Sequence, residues 1–300
     1  MGYPQRMDLT RFLASPEHAV ADTVSGPMVC FRNDTGVSDT LLRFGEYSAG
    51  ERVLYRTLLS PGDAFVDVGA NIGAVSADLH RSGAGYRIWA FEPQPACRAV
   101  AAANLSGGDA AAILPYAVGD RAGAIRIPEL DPRWRGNYGE TDLGASGTDA
   151  GRPTVEVETV RLDACLKDAA PAPRLIKIDV EGGEGAVIAG AEGLFHDRLV
   201  LSIEADRPET VADWLPALLA RGMECYLLFL AGIAPTNPRF DRSDFKCRVR
   251  FPHVVAFAGA PDADFVGRYG PMRLTGMDEY RERMTPTGGT QPASASTASP

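Results

Sequence analysis

From about residue 64 onward, short apolar runs alternate with longer stretches of helical spacing. Ala64-Phe-Val-Asp-Val68 is a strand entered from the turn Ser60-Pro-Gly-Asp63. Ala74 to Arg81 reads as a helix and Tyr86 to Phe91 as a second strand. Pro95 to Leu105 reads as a second helix, with its proline in the first turn, where a missing N–H is tolerated. Ile113 to Val118, Arg174 to Asp179 and Leu199 to Ala205 follow as strands, with helices over Glu184 to Phe195 and Pro208 to Arg221. Two more strands are expected near Glu224 to Leu230 and Val249 to Phe257. This alternation predicts an α/β fold with a mostly parallel central sheet and helices on both faces.

The stretch from about Ala122 to Leu162 interrupts the pattern. Two β-like runs, Ala124 to Ile127 and Thr154 to Val160, flank a loop rich in Gly, Asp and Arg. Loops this long are uncommon inside compact domains and are often functional. It is a candidate substrate lid, with a plain surface hairpin as the alternative. Residues 1–35 read as an arm or cap, with weak helical spacing at Leu9, Phe12 and Leu13. Residues 285–300 carry almost nothing to bury and are expected to be disordered. One α/β domain is therefore expected over residues 36–284.

Acids outnumber bases by 39 to 30, a formal net charge of −9. Phosphate contacts dominate nucleic-acid affinity, so this balance argues against a nucleic-acid partner and equally against an anionic membrane. Lys246, Arg248 and Arg250 alternate as the solvent face of a strand would. The five cysteines are widely spaced with no CxxC, and the four histidines form no HExxH. Neither a disulfide framework nor a metal-ligand set is expected. No apolar run is long enough to span a bilayer and nothing reads as a signal peptide, so a cytoplasmic setting is expected.

The segment Phe65-Val-Asp-Val-Gly-Ala-Asn-Ile-Gly73 carries the chemistry. It reads as strand, glycine turn and helix, at the place where an open α/β sheet binds its ligand. The dinucleotide fingerprint GxGxxG is absent. The spacing is Asp67-x-Gly69-x-x-x-Gly73, without the GxG pair that admits a pyrophosphate. S-adenosylmethionine (AdoMet) has no phosphate; an acid near its ammonium and bare backbone near its carboxylate suit it. The next strand ends at Glu92, about twenty residues beyond the turn, where an acid accepts both ribose hydroxyls. Asp120, after the third strand, is a candidate for the adenine amino group or an ordinary turn former. The fourth strand gives Lys177-Ile-Asp179-Val-Glu181, followed by Glu184. Asp179 and Glu181 are the catalytic candidates, as base or substrate-orienting groups. Glu184 reads as a helix-start acid, and Glu204 adds a carboxylate at the same edge.

These stretches together resemble the FkbM family of methyltransferases. The matching pieces are Gly45-Glu-Tyr47, Pro61-Gly-Asp63, Val66 to Gly73, Ala90-Phe-Glu-Pro93, Asn137-Tyr-Gly139, Val160 to Asp163, Ile176 to Gly182 with Glu184, Gly190-Ala191 and Ile203-Glu204. They run in family order over residues 36 to 206. The resemblance implies a Rossmann-like class I methyltransferase fold and AdoMet-dependent methyl transfer, often to a hydroxyl of a natural product or sugar. It implies cofactor roles for Glu46, Asp67, Gly69, Asn71, Gly73 and Glu92, and places Asp179, Glu181 and Glu184 on the family's acidic motif. Ser48 departs from the family, which often has an acid there. The stretch after Pro208 is not covered.

O-methylation of a small molecule is the expected activity, with a small-molecule acceptor as partner. N-methylation of an amino acid or peptide would use the same cofactor half. An NAD-dependent oxidoreductase is opposed by the missing GxGxxG, and a non-catalytic binding module by the intact glycine motif. A divalent cation such as magnesium is left open.

Overall fold

The structure, a computed structural model, describes residues 10–139 and 153–285. The tail after Thr285, the start of the N-terminal arm and the centre of the candidate lid lie outside the described residues. The elements run α1 Thr10–Leu13, β1 His18–Ala21, β2 Met28–Phe31, α2 Val37–Phe44, α3 Ala49–Leu58, β3 Ala64–Val68, α4 Ala74–Arg81, β4 Arg87–Phe91 and α5 Pro95–Asn104. Next come β5 Ala111–Leu114, β6 Ala117–Val118, β7 Gly123–Pro128, β8 Thr154–Val160, α6 Leu162–Cys165, β9 Pro173–Ile178 and α7 Glu184–Gly190. The rest are β10 Val200–Glu204, α8 Pro208–Ala220, β11 Glu224–Ala231, α9 Phe245–Arg248, β12 Arg250–Phe257, α10 Ala263–Tyr269, β13 Arg273–Leu274 and α11 Met277–Met284.

The main sheet has the order β13-β11-β12-β10-β9-β3-β4-β5. Strands β5, β4, β3, β9 and β10 are all parallel, whereas β12 enters antiparallel beside β10. The chain moves outward from β3 through β4 and β5, then returns to β9 on the other side. This reversal opens a crevice at the carboxyl ends of β3 and β9. The architecture is the expected α/β class with a mostly parallel sheet.

Alternation along the central strands sends side chains into two cores. Val66, Val68, Ile176, Ile178, Leu201 and Ile203 pack with Val187, Trp214 and Leu218 of α7 and α8. Phe65, Leu175, Val200 and Val255 pack on the opposite face with Leu54, Tyr55 and Leu79 of α3 and α4. The polar residues Asp67, Lys177 and Ser202 belong to this second face and stand side by side in register across three strands. On these central strands the buried charges Asp67 and Lys177 thus lie on the α3/α4 face, where it meets the crevice.

Local chemistry changes three of the expected elements. The run Ile113 to Val118 splits, because Pro115 has no N–H to donate to the ladder. Strand β5 stays in the main sheet, and β6 joins the separate order β6-β8-β7. The expected helix from Glu184 to Phe195 stops at Gly190, and a 3-10 turn covers Glu192–Leu194. Gly193 N–H is taken by Asp163 Oδ2 at 3.1 Å rather than by a helix carbonyl. Lys246 and Arg248 lie on helix α9 and Arg250 opens β12, so they do not form a strand's solvent face. Asp244 caps α9 by accepting from Lys246 N–H.

Helix α7 offers a paired test of packing. A Cβ at Gly190 would overlap the Gly119 carbonyl oxygen, whereas one at Gly185 would meet Trp214 at an ordinary 3.9 Å. Gly190→Ala should therefore cost about 1–3 kcal/mol through overpacking. Gly185→Ala, inside the helix, should add about 0.5–1 kcal/mol by reducing backbone entropy loss. Urea unfolding midpoints of the two variants should move in opposite directions; movement in the same direction would contradict the packing.

Candidate active site

A cleft of about 700 Å³ opens over the carboxyl ends of β4, β3, β9 and β10. The glycine turn after β3 forms one wall. Gly69 has φ +83°, and a Cβ there would overlap the Asp179 carbonyl oxygen. The crossing of two loops at the switch point, rather than ligand approach, is what requires this glycine. Gly73, with φ +73°, lies against Ala101 at 3.2 Å from an added Cβ and packs α4 on α5. It does not line the cleft. Asn71 lines it and adopts a left-handed φ of 52°, which asparagine tolerates.

Glu92 closes the far side of this turn. Its Oε2 accepts from Asn71 N–H at 2.8 Å and its Oε1 from Gln94 N–H at 2.8 Å. Each carboxylate oxygen keeps further lone-pair capacity. Burial pushes the carboxyl up to about 7, against the pull of the two backbone donors. Tyr116, Ala117 and Val118 line the wall beyond it. Asp120 does not. Once β6 leaves for the second sheet, Asp120 sits beside the groove between α7 and α8, and its carbonyl accepts from Arg161 at 2.7 Å.

The floor is a buried ion network. Lys177 is 4% exposed. Its ammonium reaches Asp67 Oδ1 at 3.2 Å and Asp179 Oδ2 at 3.1 Å. Burial alone would lower its pKa, but Asp179, Asp67 and Glu51 outweigh that and hold it well above the ordinary lysine value. The second oxygen of Asp67 accepts from Ser76 at 2.6 Å, so this carboxylate is committed to the protein on both sides. Below the network, α3 presents Glu51 and Tyr55 one turn apart on the same face. Tyr55 donates to Glu51 at 2.5 Å and contacts Ser202 at 3.0 Å, and His253 Nε2 lies 3.3 Å from Glu51.

Asp179 and Glu181 both line the cleft, as expected of the catalytic candidates, and Glu204 joins them. One oxygen from each of the three lies within 4.8 Å of the others, a spacing that could hold a cation. Burial and the facing Asp179 carboxylate push the Glu204 carboxyl far above the usual range. Glu181 pairs with Arg207 and adopts φ 55°. A left-handed glutamate costs about 1–2 kcal/mol.

Glu46, a cofactor candidate, lies elsewhere. It is 2% exposed, pairs with Arg52 and accepts from Ala234 N–H at 2.9 Å and Asn237 Nδ2 at 3.0 Å. Its charge ties the α2–α3 junction to the loop after β11. The neighbouring Tyr47 is the residue that lines the cleft. Sequence reasoning also passed over the roof, in which Asp34 accepts from Gly36, Ser38 and Tyr138 N–H. That carboxylate stitches the start of α2 to Asn137-Tyr138-Gly139. The motif Asn137 to Gly139 was visible, but not its distant partner.

The chain belongs to the methyltransferase FkbM domain family, whose model matches residues 67–225. The 31-O-demethyl-FK506 methyltransferase FkbM of Streptomyces tacrolimicus is 33% identical over 160 residues, 45% of this chain and 61% of that protein. The chain therefore spans less than two thirds of that relative. Methyltransferase sdnD of Sordaria araneosa is 30% identical over 189 residues, 53% of this chain and 73% of that protein. Among solved structures, a precorrin-6y C5,15-methyltransferase from Geobacter metallireducens matches with TM-score 0.42 and 14% identity, over 70% of this chain and 87% of its own. The O-methyltransferase TomG from Streptomyces achromogenes, in complex with SAM, matches with TM-score 0.41 and 12% identity, over 70% and 78%.

The Glu51 pair makes a pH test. Burial opposes ionisation of Glu51, but His253 and Lys177 outweigh it and bring the carboxyl down to about 2 from a reference of 4.5. A depressed folded-state value contributes stability that is present above pH 4.5 and lost as pH falls toward 2. The contribution is on the order of 3 kcal/mol. Glu51→Gln should lower the melting temperature at pH 7 and flatten its fall between pH 4.5 and 2. An unchanged acid limb would remove Glu51 from this role.

Proposed function

We propose that the protein is an AdoMet-dependent methyltransferase acting on a hydroxyl of a small molecule. The observation that carries this is Glu92: a buried carboxylate, fixed by two backbone donors, facing a cleft at the switch point. A ribose diol supplies two O–H donors to such a group, whereas a phosphate would be repelled by it. The apolar wall at Tyr116 to Val118 suits an adenine, and Gly69 to Asn71 offers bare backbone to an amino-acid moiety. The bound cofactor would supply an electrophilic methyl on a sulfonium.

The chain's part in the acceptor step falls to Asp179. Lys177 holds one of its oxygens, so the carboxylate is fixed at the cleft and can take a hydroxyl proton. Glu181, held by Arg207, borders the same space. The alternative role for these acids is to hold a divalent cation that lowers the hydroxyl's pKa.

Calorimetry with AdoMet and S-adenosylhomocysteine should give micromolar-range binding. Glu92→Ala should weaken it about tenfold to a hundredfold, the loss of a charge-assisted hydrogen bond at about 1.5–3 kcal/mol. Because Glu92 titrates near 7 and only its ionised form accepts from both hydroxyls, wild-type affinity should fall as pH drops below 7 and level off above it. No binding at about millimolar ligand would end the proposal. For the chemical step, Asp179→Asn should cut turnover about a hundredfold or more, within the usual range for a general base, while cofactor affinity barely moves. A parallel loss of affinity would assign Asp179 to the cofactor instead. Activity lost to a chelator and restored by magnesium would select the cation route.

A further inference from the structure

The cleft continues beyond Asp179 into a region built by α2 and by residues 232–252, which lie outside the family match at residues 67–225. We infer that this half takes an anionic acceptor with an apolar body, and that Arg250 is the residue that reads its charge. This deepens the methyltransferase reading above and rests on it.

The cations lining the cleft differ in what already holds them. Lys177 sits between Asp67 and Asp179. Arg207 is taken by Glu181. Lys246 donates to the Thr35 carbonyl at 2.7 Å and to Thr40 Oγ1 at 3.0 Å, and pairs with Asp39 at 3.2 Å. Arg250 lines the cleft too, yet among the described residues it has no carboxylate partner. Among the described residues its side chain makes one hydrogen bond, from Nη1 to the adjacent Val249 carbonyl at 2.9 Å. Most of the guanidinium's five donors therefore remain for a ligand, in a planar fork that matches carboxylate or phosphate. In a chain of net charge −9, this unpaired cation beside an acid-lined site is set apart.

Placement separates Arg250 from the cofactor half. Strand β12 lies beside β10, which lies beside β9. Two strand spacings put Arg250's strand about 10 Å from the one ending at Asp179, on the side away from Glu92. Between the two, apolar surface faces the cleft. The Tyr47 and Phe251 rings stand 6.2 Å apart, and Val249 and Phe245 line the cleft too, the latter with 71% of its surface exposed. A large exposed aromatic continuous with an apolar cleft wall marks a ligand surface. A hydroxyl at Asp179, a ring or chain across Tyr47 and Phe251, and an anionic group at Arg250 fit this sequence of contacts.

The test uses the full chain saturated with S-adenosylhomocysteine, whose own binding is measured first. Three probes are then titrated by ligand-observed NMR: 4-hydroxycinnamate, its neutral carboxamide, and 4-hydroxyphenyl phosphate. At least one anion should bind tenfold or more tighter than the carboxamide, and the tighter anion names the group. Arg250→Gln should abolish that preference while the melting temperature and S-adenosylhomocysteine affinity stay unchanged, and Arg250→Lys should restore part of it. The inference is overturned if the carboxamide binds as well as both anions, if Arg250→Gln keeps the preference, or if no probe binds the saturated chain. Failure of S-adenosylhomocysteine itself to bind would overturn the methyltransferase reading, and this inference with it.

Discussion

A buried ammonium organises this protein. Lys177 lies inside the sheet's α3/α4 face, where an unpaired charge would cost several kcal/mol. It is tolerated because Asp67 on β3 and Asp179 after β9 approach it from either side at 3.2 and 3.1 Å. Those two strands are the ones between which the strand order reverses, so satisfying the charge also fixes the crevice. Gly69 is the geometric condition for this arrangement, since any side chain there would collide with the Asp179 backbone. Breaking the triad by removing one partner would leave the others buried and uncompensated, which is the expensive way to lose an ion pair.

The same network links stability to chemistry. Glu51 and Tyr55 on α3 brace it from below through His253 and Ser202. Asp179 is consequently held at one end by the core and exposed at the other to the cleft. Backbone strain gathers at the same rim. Among the described residues, the non-glycine positions with positive φ are Ser48, Asn71 and Glu181. Asn71 and Glu181 line the cleft and Ser48 follows Tyr47, which does. Strained residues persist where their surroundings over-determine them, and here the surroundings are Glu92 for Asn71 and Arg207 for Glu181.

The cleft divides into two halves by chain origin. The half holding Glu92, Asn71 and Asp67 comes from the contiguous run of β3, its turn and β4. The other draws on α2, the start of β12 and the loop between β11 and β12. The family model, which matches residues 67–225, covers the first half and leaves out both α2 and residues 232–252. Local strand–turn–helix geometry suffices to build the first half. The second half is assembled from segments distant in the chain.

The sequence alone determined the α/β class, the order of the central strands and helices, the glycine turn, and the acids at the ends of β4 and β9. Each of these is local: a period of two or 3.6, a turn residue, or a side chain at a strand end. What it left undecided depended on long-range contacts. Glu46 carries a motif position, yet Arg52 and Asn237 claim it, and no spacing rule reports a partner nearly two hundred residues away. Asp120 follows a strand end as a ligand acid would, but beyond Pro115 strand β6 joins another sheet, and Asp120 does not line the cleft. Lys177 looked like a strand residue and Arg250 like surface. Only the tertiary structure decided that one is buried between two carboxylates and the other, among the described residues, lacks a carboxylate partner in the cleft, because a charge's role is set by which groups surround it rather than by its neighbours in sequence.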